Sequence, residues 1–186
     1  MKLPIATLAG SALLALASMA PSTPATLAIE GGGSSEGGGD PIAALVLNVI
    51  KGTMLDSPNV GKDRFDVRGT FTSDQPVGEL LPLIADDLQV AIFGTFGQQN
   101  QLPLQELPHT WKIKNGKLTY KSAPGSGYSI LLEINAVKST FRFVANKIEL
   151  NGNPGPDVSF LLFGAGTLGF YTGTWVQKKP WLYKTQ

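Results

Sequence analysis

Residues 65–71 read FDVRGTF, with Phe65, Val67 and Phe71 at one parity and Asp66, Arg68 and Thr70 at the other. Successive side chains of an extended chain point to opposite faces, so this is the pattern of a strand buried on one side. The pattern recurs. Val137, Phe141 and Phe143 oppose Lys138, Thr140 and Arg142. Leu118 and Tyr120 oppose Lys117, Thr119 and Lys121, and Trp111 and Ile113 oppose Lys112 and Lys114. Three runs, LQVAIF (88–93), YSILLEI (128–134) and VSFLLF (158–163), are more continuously apolar and read as central strands covered on both faces. Asn115-Gly116, Pro124 to Gly127 and Asn151 to Pro156 punctuate the series. Asn-Gly between two alternating runs calls for a type I′ turn, with positive φ at both residues. Residues 40–52 carry helix-boundary residues in Asp40, Pro41 and Gly52, but Leu45, Leu47 and Val49 alternate. We read a strand over 45–53 after a short helical turn. The fold class is all-β.

A longer regularity lies over the first. DLQVAIFG at 87–94 is echoed by DVSFLLFG at 157–164, seventy positions on. Placing residue i beside i+70 without gaps, the fifty pairs from 65/135 to 114/184 hold ten identities. Val67/Val137, Thr70/Thr140, Phe71/Phe141, Glu79/Glu149 and Trp111/Trp181 are among them; ordinary composition gives roughly three. The reading is two tandem units of about 70 residues, 45–114 and 115–184, stacked as an antiparallel β-sandwich with a closed barrel as the alternative. The first strands would match as NVIKG (48–52) against LTYKS (118–122), and Trp111 and Trp181 as a core pair. Asp87 and Asp157 read as turn residues at strand entry.

Lys2, the apolar run LPIATLAGSALLALASMA and the small residues near Ala25 and Ala28 make residues 1–28 a secretory signal peptide. Proline at 4 and 21 brackets that run, which is too short to span a bilayer. IEGGGSSEGGGD (29–40) is a flexible linker, leaving 41–186 as a single β domain. The expected location is secreted or periplasmic, with no membrane span in the mature chain. There is no cysteine, which removes disulfides, thiol nucleophiles and a cysteine-linked lipid anchor.

Residues 41–186 hold 14 Lys and Arg against 11 Asp and Glu. That excess is too small to point to nucleic acid. His109 is the single histidine, so no histidine-partnered triad is expected. Asp86, Asp87 and Asp157 lack the spaced series of a calcium loop, so no metal, cofactor or catalytic residue is assigned. QQNQ (98–101) reads as a polar loop tip. The candidate binding residues are Tyr171, Trp175, Trp181 and Tyr183, a C-terminal group of aromatics suited to a glycan or an envelope protein. The function read from the chain is a non-enzymatic exported module with a binding or structural role at or outside the cell envelope. The alternatives are a secreted carbohydrate-active hydrolase using Asp or Glu, for which Glu79 and Glu149 are the repeated carboxylates, and a β-barrel carrier of a small apolar ligand.

Overall fold

A computed structural model of the chain describes residues 44–86, 88–94, 99–150, 155–164 and 167–186. The segments read as a signal peptide (1–28) and linker (29–40), and Asp87, lie outside the described residues. Among the described residues strands predominate, and they follow the alternating runs. In chain order these are β1 (Ala44–Leu55), β2 (Asp63–Ser73), β3 (Gln89–Phe93), β4 (Gln99–Pro103), β5 (His109–Lys114), β6 (Lys117–Ser122) and β7 (Ser129–Asn135). They continue as β8 (Thr140–Ile148), β9 (Asp157–Gly164), β10 (Thr167–Thr174), β11 (Val176–Lys179) and β12 (Leu182–Lys184). One α-helix, α1 (Val77–Asp86), follows β2.

The strands do not stack as two sheets. A single ladder runs β4, β3, β9, β10, β1, β2, β8, β7, β6, β5, with β12 paired to both β1 and β11, and this one sheet curls into a half-barrel. Hydrogen bonds, rather than facing apolar surfaces, join the two halves of the chain: β2 pairs antiparallel with β8 and β3 with β9, while β1 runs parallel to β10. The apolar faces therefore turn to one concave side. There Phe65, Val67, Phe143, Phe160 and Leu132 are fully enclosed, with Phe65 and Phe160 stacked at 5.8 Å between ring centres.

Helix α1 closes part of this concave side, touching β5, β6 and β9. Val77, Leu81, Ile84 and Ala85 are buried, spaced at intervals of four, three and one, which lie on one helical face. The alignment at i+70 pairs Glu79-Leu80 of this helix with Glu149-Leu150, which lie beyond the end of β8. These two identities therefore do not share a local structure. The first-strand match also departs from the expectation. Residues 48–52 are in β1, next to β2, whereas 118–122 are in β6, which β7 separates from β8.

The Asn115-Gly116 hairpin forms as the turn chemistry requires, with φ of 52° and 68°. Residues 99–101 of the polar QQNQ stretch belong to β4 rather than to a loop tip. His109 stacks on Tyr120 at 4.9 Å, with Nδ1 2.6 Å from the Leu107 carbonyl oxygen. The Tyr120 hydroxyl donates to the Leu104 carbonyl at 2.9 Å, tying β6 to the short 3-10 turn at Leu104–Glu106. Burial pushes that phenol well above its ordinary titration range, so it stays a donor.

Asp63 is the one buried charged residue among those described, at 3% exposure. Its carboxylate accepts from the Ser57 and Leu150 amides, both at 2.7 Å, pinning the β1–β2 connection to the end of β8. Burial nevertheless holds the Asp63 carboxyl above its ordinary value, and the nearby charge of Glu149 adds to this. Asp56 is raised by burial and by Asp63. A raised folded-state pKa stabilises the fold most below the unfolded value of about 3.9, and that contribution is lost as pH rises through the folded value. Asp63→Ala orphans two amides and is expected to cost about 1–3 kcal/mol at neutral pH. The deficit should widen as pH is lowered from 7 to 4, because the variant lacks the gain from protonating Asp63 itself. Urea denaturation across that range measures it, and a deficit that narrows would contradict the raised titration.

Candidate functional site: a cationic outer face

Alternation turns the even-numbered residues of β2 outward. On this convex side Arg68 stands directly opposite Arg142 of β8. On its other flank Arg68 stands opposite Lys51 of β1. Ile50 produces this arrangement. The β1–β2 register shifts between Val49 and Lys51, a β-bulge that resets parity. Leu47 before it and Gly52 after it both face inward, and Lys51 joins the outer face. Lys51, Arg68 and Arg142 are all exposed, and no ion pair is formed by any of them. Like charges directly opposite across strands are unfavourable, so three in one row are not explained by packing.

The outer face continues through β7 and β6 to β5. Arg142 faces Glu133, Glu133 faces Thr119, and Thr119 faces Lys112. Lys112, Lys114, Lys117, Lys121 and Glu133 line a shallow cleft of about 390 Å³. Glu133 is held by Lys117, and Asp66 on β2 by Arg64. Across the face, nine cations (Lys51, Arg64, Arg68, Lys112, Lys114, Lys117, Lys121, Arg142, Lys184) stand with two carboxylates, Asp66 and Glu133. The rest of residues 41–186 carries five cations and nine carboxylates. The small overall charge therefore conceals a strong segregation, and clustered charge of one sign sets the local field.

The aromatic candidates are not brought together on a surface. Trp175 is 2% exposed and Tyr183 3%. Trp175 stacks on Phe65 at 5.7 Å between ring centres, with planes 13° apart, and its indole N–H donates to the Tyr171 hydroxyl at 3.1 Å. Tyr171 is half-buried against the core. Trp181 is 42% exposed and Trp111 46%, which corrects their reading as a core pair. Trp111 lies on the outermost strand β5, and Trp181 at the tip of the β11–β12 turn, places where neither meets a covering layer. Asp157 accepts from the Thr174 hydroxyl at 2.8 Å, which ties the start of β9 to the end of β10.

The sequence shows Arg68 and Arg142 as outward residues of two strands. What it lacks is the adjacency of β1, β2 and β8 and the bulge that brings Lys51 into line. No protein-family model matches this chain, and no curated protein or solved structure matches it either. The chemistry of its own residues carries the functional reading.

Among the described residues, no helix is long and apolar enough to cross a membrane.

Proposed function

We propose that the mature chain is an exported, non-enzymatic binding module that holds an anionic partner at or outside the cell envelope through its convex face. The observation that carries this is the unpaired row Lys51, Arg68, Arg142 across three adjoining strands. A bound anion relieves that repulsion and converts it into charge-assisted hydrogen bonds. The hydrolase alternative is less well supported, since Glu79 lies in α1 and Glu149 beyond β8, beside Asp63. The carrier alternative needs a hollow interior, and the concave side is occupied by α1 and stacked aromatic rings.

We also infer that the domain arose by duplication of a unit of about seventy residues, and register supports this. Thr70 pairs with Thr140 where β2 meets β8, and Ala91 pairs with Leu161 where β3 meets β9. Each pair joins positions seventy apart, as expected when equivalent strands of two copies meet across a local two-fold axis.

Isothermal titration with dextran sulfate tests the binding role, alongside mass determination of the secreted chain's N-terminus. Lys51→Gln/Arg68→Gln/Arg142→Gln should weaken binding at least about tenfold, since charge-assisted contacts are the strong ones. Lys62→Gln/Lys178→Gln/Lys179→Gln, which removes as much charge from the β1–β2 connection and β11, should weaken it less than about threefold, the scale of screened surface charge. Equal losses would reduce the effect to net charge and refute a site on this face.

A further inference from the structure

We propose that this face is a track for an extended, flexible acidic polysaccharide, gripped at two separated points. It rests on the anion-binding reading above and specifies the ligand. One grip is the row Lys51, Arg68, Arg142; the other is the cleft bearing Lys112, Lys114 and Lys121. The whole track crosses six adjoining strands, β1, β2, β8, β7, β6 and β5, with β7 alone between those of the two grips. Five steps at about 4.8 Å make it about 24 Å long, measured along the sheet. A small anion fills one grip and leaves the other unpaired.

Between the grips the charge falls away. Glu133 is neutralised by Lys117, and Thr70, Thr140 and Asn135 form a neighbouring uncharged row. Hydroxyl and amide groups of this kind donate and accept hydrogen bonds, which suits the hydroxyl-rich backbone of a glycan. A single-stranded nucleic acid is bound by stacking its bases on aromatic side chains. On these strands, however, Phe65, Phe71, Tyr120, Phe141 and Phe143 are buried on the concave side, and the exposed Trp111 of β5 pairs with Tyr120, at the parity opposite to Lys112, so no aromatic stands on the cationic face. A bilayer is flat, whereas the sheet is curled, so its two grips face diverging directions. A flexible chain follows that curvature and a planar surface does not. Protection of the sheet edge against pairing explains Lys112 and Lys114 on the outermost strand β5. It does not explain Lys51, Arg68 and Arg142, which lie on strands paired on both sides.

The test titrates the mature chain with oligogalacturonates of increasing length. Neutral malto-oligosaccharides, a single-stranded DNA oligomer and phosphatidylglycerol vesicles serve as competitors for the assignment. Affinity is expected to rise at least about tenfold between the dimer and oligomers long enough to reach both grips, as linked contacts become intramolecular. Lys51→Gln/Arg68→Gln/Arg142→Gln and Lys112→Gln/Lys114→Gln/Lys121→Gln should each bring the long oligomer to within about threefold of the dimer, because one grip then remains. Amide NMR shifts of the wild type give an answer independent of whether those variants fold: the long oligomer should perturb both clusters, the dimer no more than one. Length-independent affinity with the dimer still bound would overturn the track and leave anion binding standing. No binding of any acidic ligand would overturn both. Tighter binding of DNA, vesicles or neutral sugars than of the longest oligogalacturonate would reassign the face.

Discussion

Trp175→Ala is expected to destabilise the folded chain by about 3–5 kcal/mol, the range for removing a large aromatic from a packed core. A shift in urea midpoint at unchanged slope would report it. The ring lies between β10 and β11 and covers Phe65, which itself contacts Phe143 and Phe160. It also lies over Gly52 of β1, where a Cβ would come within 2.5 Å of two indole carbons. The absent side chain at 52 is the space the indole fills. The Tyr171 hydroxyl would lose its indole donor as well. Trp175→Phe keeps an aromatic ring over Phe65 and gives up the N–H, so its loss should be nearer 1 kcal/mol, the scale of a single hydrogen bond. A Trp175→Ala chain of wild-type stability would show that the indole is not a core element, and would return it to the surface role its sequence context suggested.

Period-two alternation made most of the strands legible, because one-sided burial writes itself directly into sequence. The Asn115-Gly116 hairpin was legible for a different reason: both residues must take positive φ, and few residue pairs accept that. Helix α1 was obscured. Its buried positions 77, 81, 84 and 85 follow a helical period, but a proline at 82 inside the segment argues against a helix. Trp111 and Trp181 show the limit of repeat reasoning. Residues matched by spacing share a side chain, while burial depends on which strand ends the sheet and where a turn projects.

The cationic face was legible in part. Each lysine or arginine announces its outward parity, but charge clusters only after strands distant in sequence become neighbours. Lys51 and Arg142 are ninety-one positions apart in the chain and two strands apart in the sheet. Net charge, summed over all residues, averages this away. The weak positive balance that argued against a nucleic-acid partner was sound as arithmetic, yet it concealed the feature that now carries the functional proposal.

Gly69→Ala is expected to be at least as damaging as the loss of Trp175, costing about 4 kcal/mol or more, and on physical grounds it bears on function as well as stability. Gly69 pairs with Val49 on one side and Phe141 on the other. A Cβ there would sit 1.8 Å from the Asn48 carbonyl oxygen, 2.8 Å from its carbon and 3.0 Å from the Val49 Cα. All three are main-chain atoms, so no rotamer change relieves the clash; β1 has to move off β2. That contact lies beside the bulge between Val49 and Lys51, where the parity of β1 is reset. Separating the strands there removes the constraint that holds Lys51 opposite Arg68. Any Gly69→Ala protein that still folds should therefore bind acidic ligands as weakly as a Lys51→Gln variant. Gly78→Ala is the matched control. It lies in α1, and an added Cβ meets nothing within 4 Å, so alanine should be neutral or stabilising by up to about 1 kcal/mol. Thermal melts of the two variants, with dextran sulfate titrations of whichever fold, separate a general intolerance of glycine replacement from a close approach of two strands that sets the cationic row. Similar stability for both would exclude the second.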